Sequence, residues 1–155
     1  MRYSLLPPLA ALSLLLLAPA CSKPPEPPPF KPVAGVRLLM LSMLDPAADT
    51  LWDAVRIEMT LEGTQEFQPQ TDEEWTVVRN AAVILAESGN LMMMERRAMD
   101  QGDWMAWSRA LIDASEEALQ AADARDPDAI FDIGEKVYDT CAGCHAQYWR
   151  ADFAY

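Results

Sequence analysis

The sequence predicts an all-α protein, an up-and-down four-helix bundle, and three observations carry that prediction. After Val33, apolar residues recur every three or four positions over four segments, which is the spacing of amphipathic helices. Residues that favour helix starts stand ahead of these segments. No alternation of apolar and polar residues, which would indicate a strand, extends over any length of this region. The 155 residues provide room for one domain, so the four helices would share one core.

Residues 1–20 have the composition of an export signal. Arg2 supplies a positive charge, residues 9–17 form an apolar run, and residues 18–20 are the small-residue stretch that precedes cleavage. The run is shorter than the roughly 20 apolar residues that span a bilayer. Cys21 follows directly, and this arrangement resembles a bacterial lipoprotein signal, in which the cysteine is lipidated. Ordinary secretion with cleavage nearby is the alternative, and both predict export to the periplasm.

Residues 21–32 are predicted to be a tether between the lipidated Cys21 and a domain formed by residues 33–155. Six prolines follow Cys21 in this stretch. Proline fixes its own φ angle and extends the residue before it, so the tether would be semi-rigid.

The first helical segment is predicted over residues 33–61. Its helical pattern is interrupted at Asp45 and Pro46, where Asp45 can cap a new turn and Pro46 suits the first helical position. We therefore expect either one kinked helix or two helices in sequence. Residues 63–70 are predicted to be a loop.

The remaining three helices have clear starts. Thr71 and Glu74 have the spacing of a capping box at the second helix. The third helix follows a predicted turn at residues 100–103. The fourth begins at Asp126 and Pro127, a cap residue followed by proline at the first helical position.

The charge of the chain disfavours several kinds of partner. It has 24 acidic and 12 basic residues and a net charge of -12 at pH 7. Nucleic-acid binding requires basic residues that replace phosphate counterions, and docking on anionic lipid by charge alone requires them as well. We therefore expect no nucleic-acid partner, and membrane association only through a lipid anchor. The acidic surface would suit a redox partner with a basic docking surface.

The chemistry is concentrated in the sequence from Cys141 to His145. The pattern C-x-x-C-H is typical of covalent haem attachment. On a helix, positions i, i+3 and i+4 share a face, so Cys141, Cys144 and His145 would lie together. The thiols could then add to the two vinyl groups of one haem, which converts it to covalently bound haem c, with the imidazole of His145 as the proximal iron ligand. A zinc site lacks a fourth ligand, and a Cys141–Cys144 disulfide would not need the histidine.

These features together resemble one family, the class II c-type cytochromes, which comprise cytochrome c′ and the cytochrome c556 type. The resemblance lies in four helices, the attachment motif on the C-terminal helix, and its flanking residues: Gly134, Val137, Tyr138, Tyr148 and Trp149. It implies a left-handed four-helix bundle with haem between the first and last helices. It also implies that the first helix supplies the distal face of the haem, and it frequently implies a homodimer. The sequence itself fits a monomer and a dimer through the first helix equally well.

The sixth iron position separates the two functions that we consider. His145 is the only histidine, which leaves a methionine or an open site. Met40 is the first choice for the distal ligand, Met43 could substitute for it, and both could instead be core residues. Arg37 lies one turn before Met40 and could pair with a haem propionate; a surface ion pair is the alternative.

The sequence therefore predicts a periplasmic monohaem cytochrome c that transfers single electrons through His145 and Met40 and is not an enzyme. Its partner would be a periplasmic or membrane redox protein. The alternative is a five-coordinate haem protein, similar to cytochrome c′, that binds NO or CO at an open distal site. A haem-free helical interaction module is a third hypothesis.

Overall fold

The computed structural model describes residues 30–149, and residues 32–149 belong to one compact unit. Helix accounts for 70% of the described residues, which confirms a mainly helical fold. The predicted signal at residues 1–20, Cys21 and most of the tether lie outside the described residues.

The described elements are five α-helices, one π-helical segment and one small sheet. In chain order they are α1 (Val36–Leu39), the π-helical segment (Met40–Leu44), α2 (Asp45–Ala54), β1 (Arg56–Thr60), β2 (Gly63–Phe67), α3 (Asp72–Met92), α4 (Asp103–Ala124) and α5 (Pro127–Tyr148).

The first three of these elements follow one another without a break, and we call residues 36–54 the first bundle helix. The chain thus stays helical across the interruption predicted at Asp45 and Pro46. Pro46 has no amide hydrogen to donate to the carbonyl of Ser42, four residues earlier, so the ordinary α-helical bonding cannot continue there. The π-helical segment, whose turns are wider than those of an α-helix, ends at Leu44, directly before Asp45 and Pro46.

The prediction of helix to residue 61 and of a loop over residues 63–70 was wrong, because residues 56–67 form a β-hairpin. β1 and β2 are antiparallel, with Arg56 paired to Phe67 and Thr60 to Gly63. The guanidinium of Arg56 lies 4.0 Å from the centre of the Phe67 ring. Gly63 has a φ angle of 135°, which favours glycine. The fold is therefore a helical bundle with a small hairpin rather than purely α-helical.

The predicted starts of α3 and α5 are confirmed by their caps. The Thr71 hydroxyl accepts a hydrogen bond from the Glu74 amide at 3.2 Å, and the Glu74 carboxylate accepts one from the Thr71 amide at 3.0 Å. The Asp126 carboxylate accepts a hydrogen bond from the Ala129 amide at 3.0 Å, directly before Pro127. Each bond satisfies an amide that a helix start otherwise leaves unpaired.

The core lies among four helices. α2 packs on α3, α3 on α4, α4 on α5, and α5 on α2. The most deeply buried large side chains come from α2, α3 and α5: Leu51, Leu85, Ile130 and Val137. Small residues, such as Ala82 and Ala118, let the backbones of α3 and α4 approach closely.

Polar contacts join neighbouring helices at well-separated levels. Arg79 of α3 forms a 2.8 Å ion pair with Asp123 at the end of α4. At the other end, the indole of Trp104 in α4 donates a 2.8 Å hydrogen bond to the carbonyl of Met92 in α3. The early part of α3 therefore lies beside the late part of α4, and the late part of α3 beside the early part of α4.

α4 and α5 are joined in the same way. Lys136 of α5 pairs with Glu117 of α4. Further along α5, Gln147 accepts a 3.1 Å hydrogen bond from the indole of Trp107, near the start of α4. The last turns of α5 thus lie beside the first turns of α4.

Candidate functional site

The three residues of the predicted site lie in the last two turns of α5. Cys141, Cys144 and His145 continue the apolar stripe that earlier in the same helix contains Ile133 and Val137. Burial falls along this stripe, because Ile133 and Val137 are buried, both cysteines are half-buried and His145 is exposed. The core of the bundle is therefore incomplete where the two thiols stand.

The rotation of α5 at the motif is fixed from the other side by α4. Gly143 packs against the indole of Trp107, and a Cβ atom on Gly143 would lie only 2.3 Å from Cη2 of that ring. Gln147, one turn later on the same side of α5, accepts the Trp107 hydrogen bond and donates a 2.8 Å hydrogen bond to Asp103. Gly143 and Gln147 therefore face α4, and the motif cysteines lie on a different side of the helix.

The absence of a side chain at Gly143 leaves a space on this side of α5, and the indole of Trp107 fills it. Trp75 and Trp104 are buried, whereas Trp52 and Trp107 are only half-buried. The glycine between the two cysteines was the signal that a bulky side chain approaches α5 at this point.

Both cysteines are free thiols, and both are held in their protonated form by their surroundings. Burial raises the pKa of the Cys141 thiol, and the negative charge of Asp45 adds to this effect. Burial, followed by the nearby Cys141, raises the pKa of Cys144 to about 11. At neutral pH both side chains are therefore thiols rather than thiolates in this arrangement.

The end of α5 is held by aromatic and polar contacts. The ring of His145 lies 5.1 Å from that of Trp149, in an edge-on arrangement. Tyr148 packs edge-on against Trp104 at 5.0 Å, and its hydroxyl donates a hydrogen bond to Asp100. Asp100 also accepts hydrogen bonds from backbone amides at the start of α4, which fixes the motif to that helix start. The sequence did not single out Asp100.

The first bundle helix approaches α5 at two levels. The Trp52 indole donates a 2.9 Å hydrogen bond to the carbonyl of Gly134, where the absence of a Cβ atom admits the ring. Asp45 lies seven residues before Trp52 in the first bundle helix, and Cys141 lies seven residues after Gly134 in α5. The negative charge of Asp45 acts on the Cys141 thiol. If the same opposed direction continues, the π-helical segment lies at the level of the attachment motif.

The predicted distal residues are all in this part of the first bundle helix. Met40 and Met43 belong to the π-helical segment, are half-buried and pack against the core. Arg37 is exposed on α1, one turn before Met40. The approach of either methionine sulfur to His145, and a role for Arg37 toward a propionate, stay predictions. Cys21 lies outside the described residues, so its lipidation also stays a prediction.

The donor set at the motif fits haem c better than a bare metal ion. Two free, half-exposed thiols and an exposed imidazole stand at i, i+3 and i+4 on one regular helix, beside an incomplete apolar core. Within residues 30–149, no three His, Cys, Asp or Glu side chains converge into a cation site. In the same range, no helix combines the length and the apolar character of a membrane span.

Comparison of the chain with protein-family models, with curated proteins and with solved structures found no match.

Proposed function

We propose that the chain is a periplasmic c-type cytochrome with one covalent haem, anchored to a bacterial membrane through Cys21, that carries single electrons. The observation that supports this most strongly is the apolar stripe of α5, which ends in two free, half-exposed thiols with an exposed imidazole on the next residue. Residues for a haem are thus present where the bundle core is incomplete.

An up-and-down four-helix bundle, with the attachment motif on its C-terminal helix, is part of the proposal. Two contacts between α3 and α4 and two between α4 and α5 support it, and one hydrogen bond joins α2 to α5. In both helix pairs with two contacts, positions that come later along one helix contact positions that come earlier along its neighbour, as in antiparallel neighbours.

Each motif residue has a defined part in this proposal. Cys141 and Cys144 would each add across one vinyl double bond of the haem: a C–S bond forms, the S–H bond breaks and the hydrogen passes to the neighbouring carbon. His145 and Met40 would be the two protein ligands of the iron. The haem supplies an iron that cycles between two oxidation states, and His/Met ligation favours a raised reduction potential.

Gly143 and Trp107 serve the same site indirectly. The indole packs where a side chain on residue 143 would stand, and its hydrogen bond to Gln147 joins α4 to the last turn of α5. These contacts would keep the two cysteines directed away from α4 while the first bundle helix supplies the opposite wall.

Production of the full chain in a bacterium that attaches haem c tests the proposal. We expect a coloured protein whose mass exceeds that of the chain by one haem after denaturation, and whose pyridine haemochrome spectrum shows two thioether bonds. Cys141→Ser and Cys144→Ser should each leave one thioether bond, and the double variant none. Colourless wild-type protein with the mass of the bare chain would contradict the proposal.

Optical spectra of the loaded protein then test the distal ligand. With Met40 bound, the ferric protein is low-spin and the ferrous spectrum does not change with CO. Met40→Ala should produce a high-spin ferric spectrum and a CO-sensitive ferrous one, whereas Met43→Ala, the matched control, should change neither. A CO-sensitive wild type would instead favour the open site and the binding of NO or CO.

A further inference from the structure

The two ends of the bundle differ strongly in charge. We call residues 53–74 and 123–128 the hairpin end, and residues 32–37, 93–105 and 145–149 the motif end. The hairpin end has ten acidic and two basic residues, a net charge of -8, whereas the motif end has three of each. Most of the negative charge of the protein is therefore concentrated away from the attachment motif.

The three segments of the motif end are in contact with one another. The buried Arg97 donates a 3.1 Å hydrogen bond from Nε to the carbonyl of Ala34, where the chain enters the bundle, and another from Nη1 to Leu91. The Tyr148 hydroxyl at the end of α5 donates to Asp100. The link between α3 and α4 thus joins the start of the first bundle helix to the C-terminal end of α5.

The motif end also exposes apolar side chains. The exposed fractions are 91% for Val33, 44% for Met99 and 72% for Trp149. Tryptophan is enriched at membrane–water interfaces, where its ring is partly apolar and partly polar. The hairpin end exposes Ile57, Met59 and Leu61 as well, but there they stand among ten carboxylates, which an anionic lipid surface repels.

The predicted tether by itself does not decide which end faces the membrane. Twelve extended residues reach about 37 Å at ~3.1 Å per residue. A 22-residue helix such as α5 is about 33 Å long, so the tether is long enough for either end of the bundle to face the membrane. The surface field of an anionic bilayer decays within about 8 Å at physiological ionic strength. Because the tether enters at the motif end, that end can approach the bilayer while the acidic hairpin end stays outside the field.

We propose that the motif end rests on the surface of an anionic phospholipid bilayer, with Val33, Met99 and Trp149 at the lipid and the hairpin directed into the periplasm. This inference rests on the proposed function for the anchor at Cys21. The net charge of the chain opposes adsorption of the free protein, so the anchor supplies attachment and the charge difference supplies orientation. A haem on α5 would then exchange electrons with a membrane-held redox protein.

Hydrogen–deuterium exchange of the full, haem-loaded chain on vesicles tests the orientation. The vesicles contain phosphatidylethanolamine and phosphatidylglycerol, and the unanchored Cys21→Ser chain without vesicles is the reference. We expect exchange to slow several-fold at amides of residues 93–102 and to stay unchanged over residues 56–67. Slower exchange at residues 56–67, or no change in either range, would overturn the inference.

Matched variants identify the contacts that hold the orientation. Val33→Ser combined with Trp149→Ser should reduce the protection of residues 93–102, whereas Met59→Ser combined with Leu61→Ser should not. Vesicles of phosphatidylcholine alone, which have no net charge, should reduce the preference for the motif end. Equal effects of the two double variants would contradict the proposed contacts.

These measurements distinguish failure of the proposed orientation from failure of the proposed function. The absorption spectrum and the mass of the same sample report haem and lipid independently. If the mass shows no acyl chains, Cys21 is coupled to a maleimide-bearing lipid before reconstitution, and the exchange pattern is measured on that sample. A colourless or unlipidated product thus contradicts the proposed function, and only the exchange pattern decides the orientation.

Discussion

Gly143 allows a direct test of how the attachment motif is held against α4. A Cβ atom at this position would lie 2.3, 2.7 and 2.8 Å from Cη2, Cζ3 and Cζ2 of Trp107. Such distances are well inside van der Waals contact, so Gly143→Ala forces the indole or α5 to move. The perturbation is small in chemistry, one methyl group, and it lies between the two cysteines.

Two opposed effects determine the result. Overpacking of this kind costs about 1–3 kcal/mol, while alanine is a better helix residue than glycine by about 0.5–1 kcal/mol. We therefore expect Gly143→Ala to lower the free energy of unfolding by about 1 kcal/mol. When the indole is absent, only the better helix propensity of alanine over glycine remains. In a Trp107→Ala background, Gly143→Ala should therefore raise the free energy of unfolding by about 0.5–1 kcal/mol.

A double-mutant cycle measures the difference. The free energy of unfolding of the four proteins is determined by urea denaturation followed by circular dichroism, and the two substitutions should be coupled by about 2 kcal/mol, within the range for residues in contact. Ala142→Gly is the control. This exposed neighbour should cost about 1 kcal/mol in both backgrounds. Equal effects of Gly143→Ala in the two backgrounds would refute the packing of Trp107 on the motif.

Three further outcomes follow from other contacts. Gly89→Ala should lower the free energy of unfolding by about 2 kcal/mol in urea denaturation, because its Cβ would lie 2.8 Å from the backbone oxygen of Ser108, which cannot rotate away; an unchanged value would contradict the close approach of α3 to α4. The Ser88 hydroxyl is buried without a hydrogen-bond partner among the described residues, so Ser88→Ala should leave the free energy of unfolding unchanged or raise it by about 1 kcal/mol, and a clear loss would reveal a bond that the structure lacks. Burial and the hydrogen bond to Asp100 raise the pKa of Tyr148 from 10.0 to about 12; because the folded value is the higher one, the stabilisation is complete below pH 10 and is lost as the pH rises to 12. Tyr148→Phe should remove this part of the alkaline decline, measured as urea denaturation against pH, and identical pH profiles would argue against the bond.

Helix starts were the most predictable part of the fold. The bonds that cap α3 and α5 depend on side chains within three residues of the amides they satisfy, so Thr71, Glu74 and Asp126 could be assigned from local sequence. The mainly helical fold followed from apolar spacing over four long segments, a signal that accumulates over many residues.

The hairpin shows where this reasoning fails. Val55 and Met59 have the i, i+4 spacing of a helical stripe, and the pattern was extended through them to residue 61. The same residues also allow a strand in which Ile57 and Met59 alternate with polar neighbours. Both Ile57 and Met59 are exposed, so burial did not select between the two patterns. The turn at Gly63 and the Arg56–Phe67 contact favour the hairpin, and both depend on pairing between strands.

The candidate site also has one part that local sequence could predict and one part that it could not. The grouping of Cys141, Cys144 and His145 on one face of a helix followed from their spacing alone. The contact of Gly143 with Trp107 joins residues 36 positions apart, and the effect of Asp45 on Cys141 joins residues 96 positions apart. No local pattern contains such information, because it depends on how α4 and the first bundle helix pack on α5.

The π-helical segment makes Met40 and Met43 chemically unequal. In an ordinary α-helix, residues three apart lie close to the same line along the surface, and one thioether could take the place of the other. A π-helix closes its hydrogen bonds over five residues rather than four, so residues three apart are spread further round the axis. The Cα–Cβ bonds of Met40 and Met43 therefore leave this segment in directions further apart than they would in an α-helix, so the two thioethers are not equivalent toward a group held on α5.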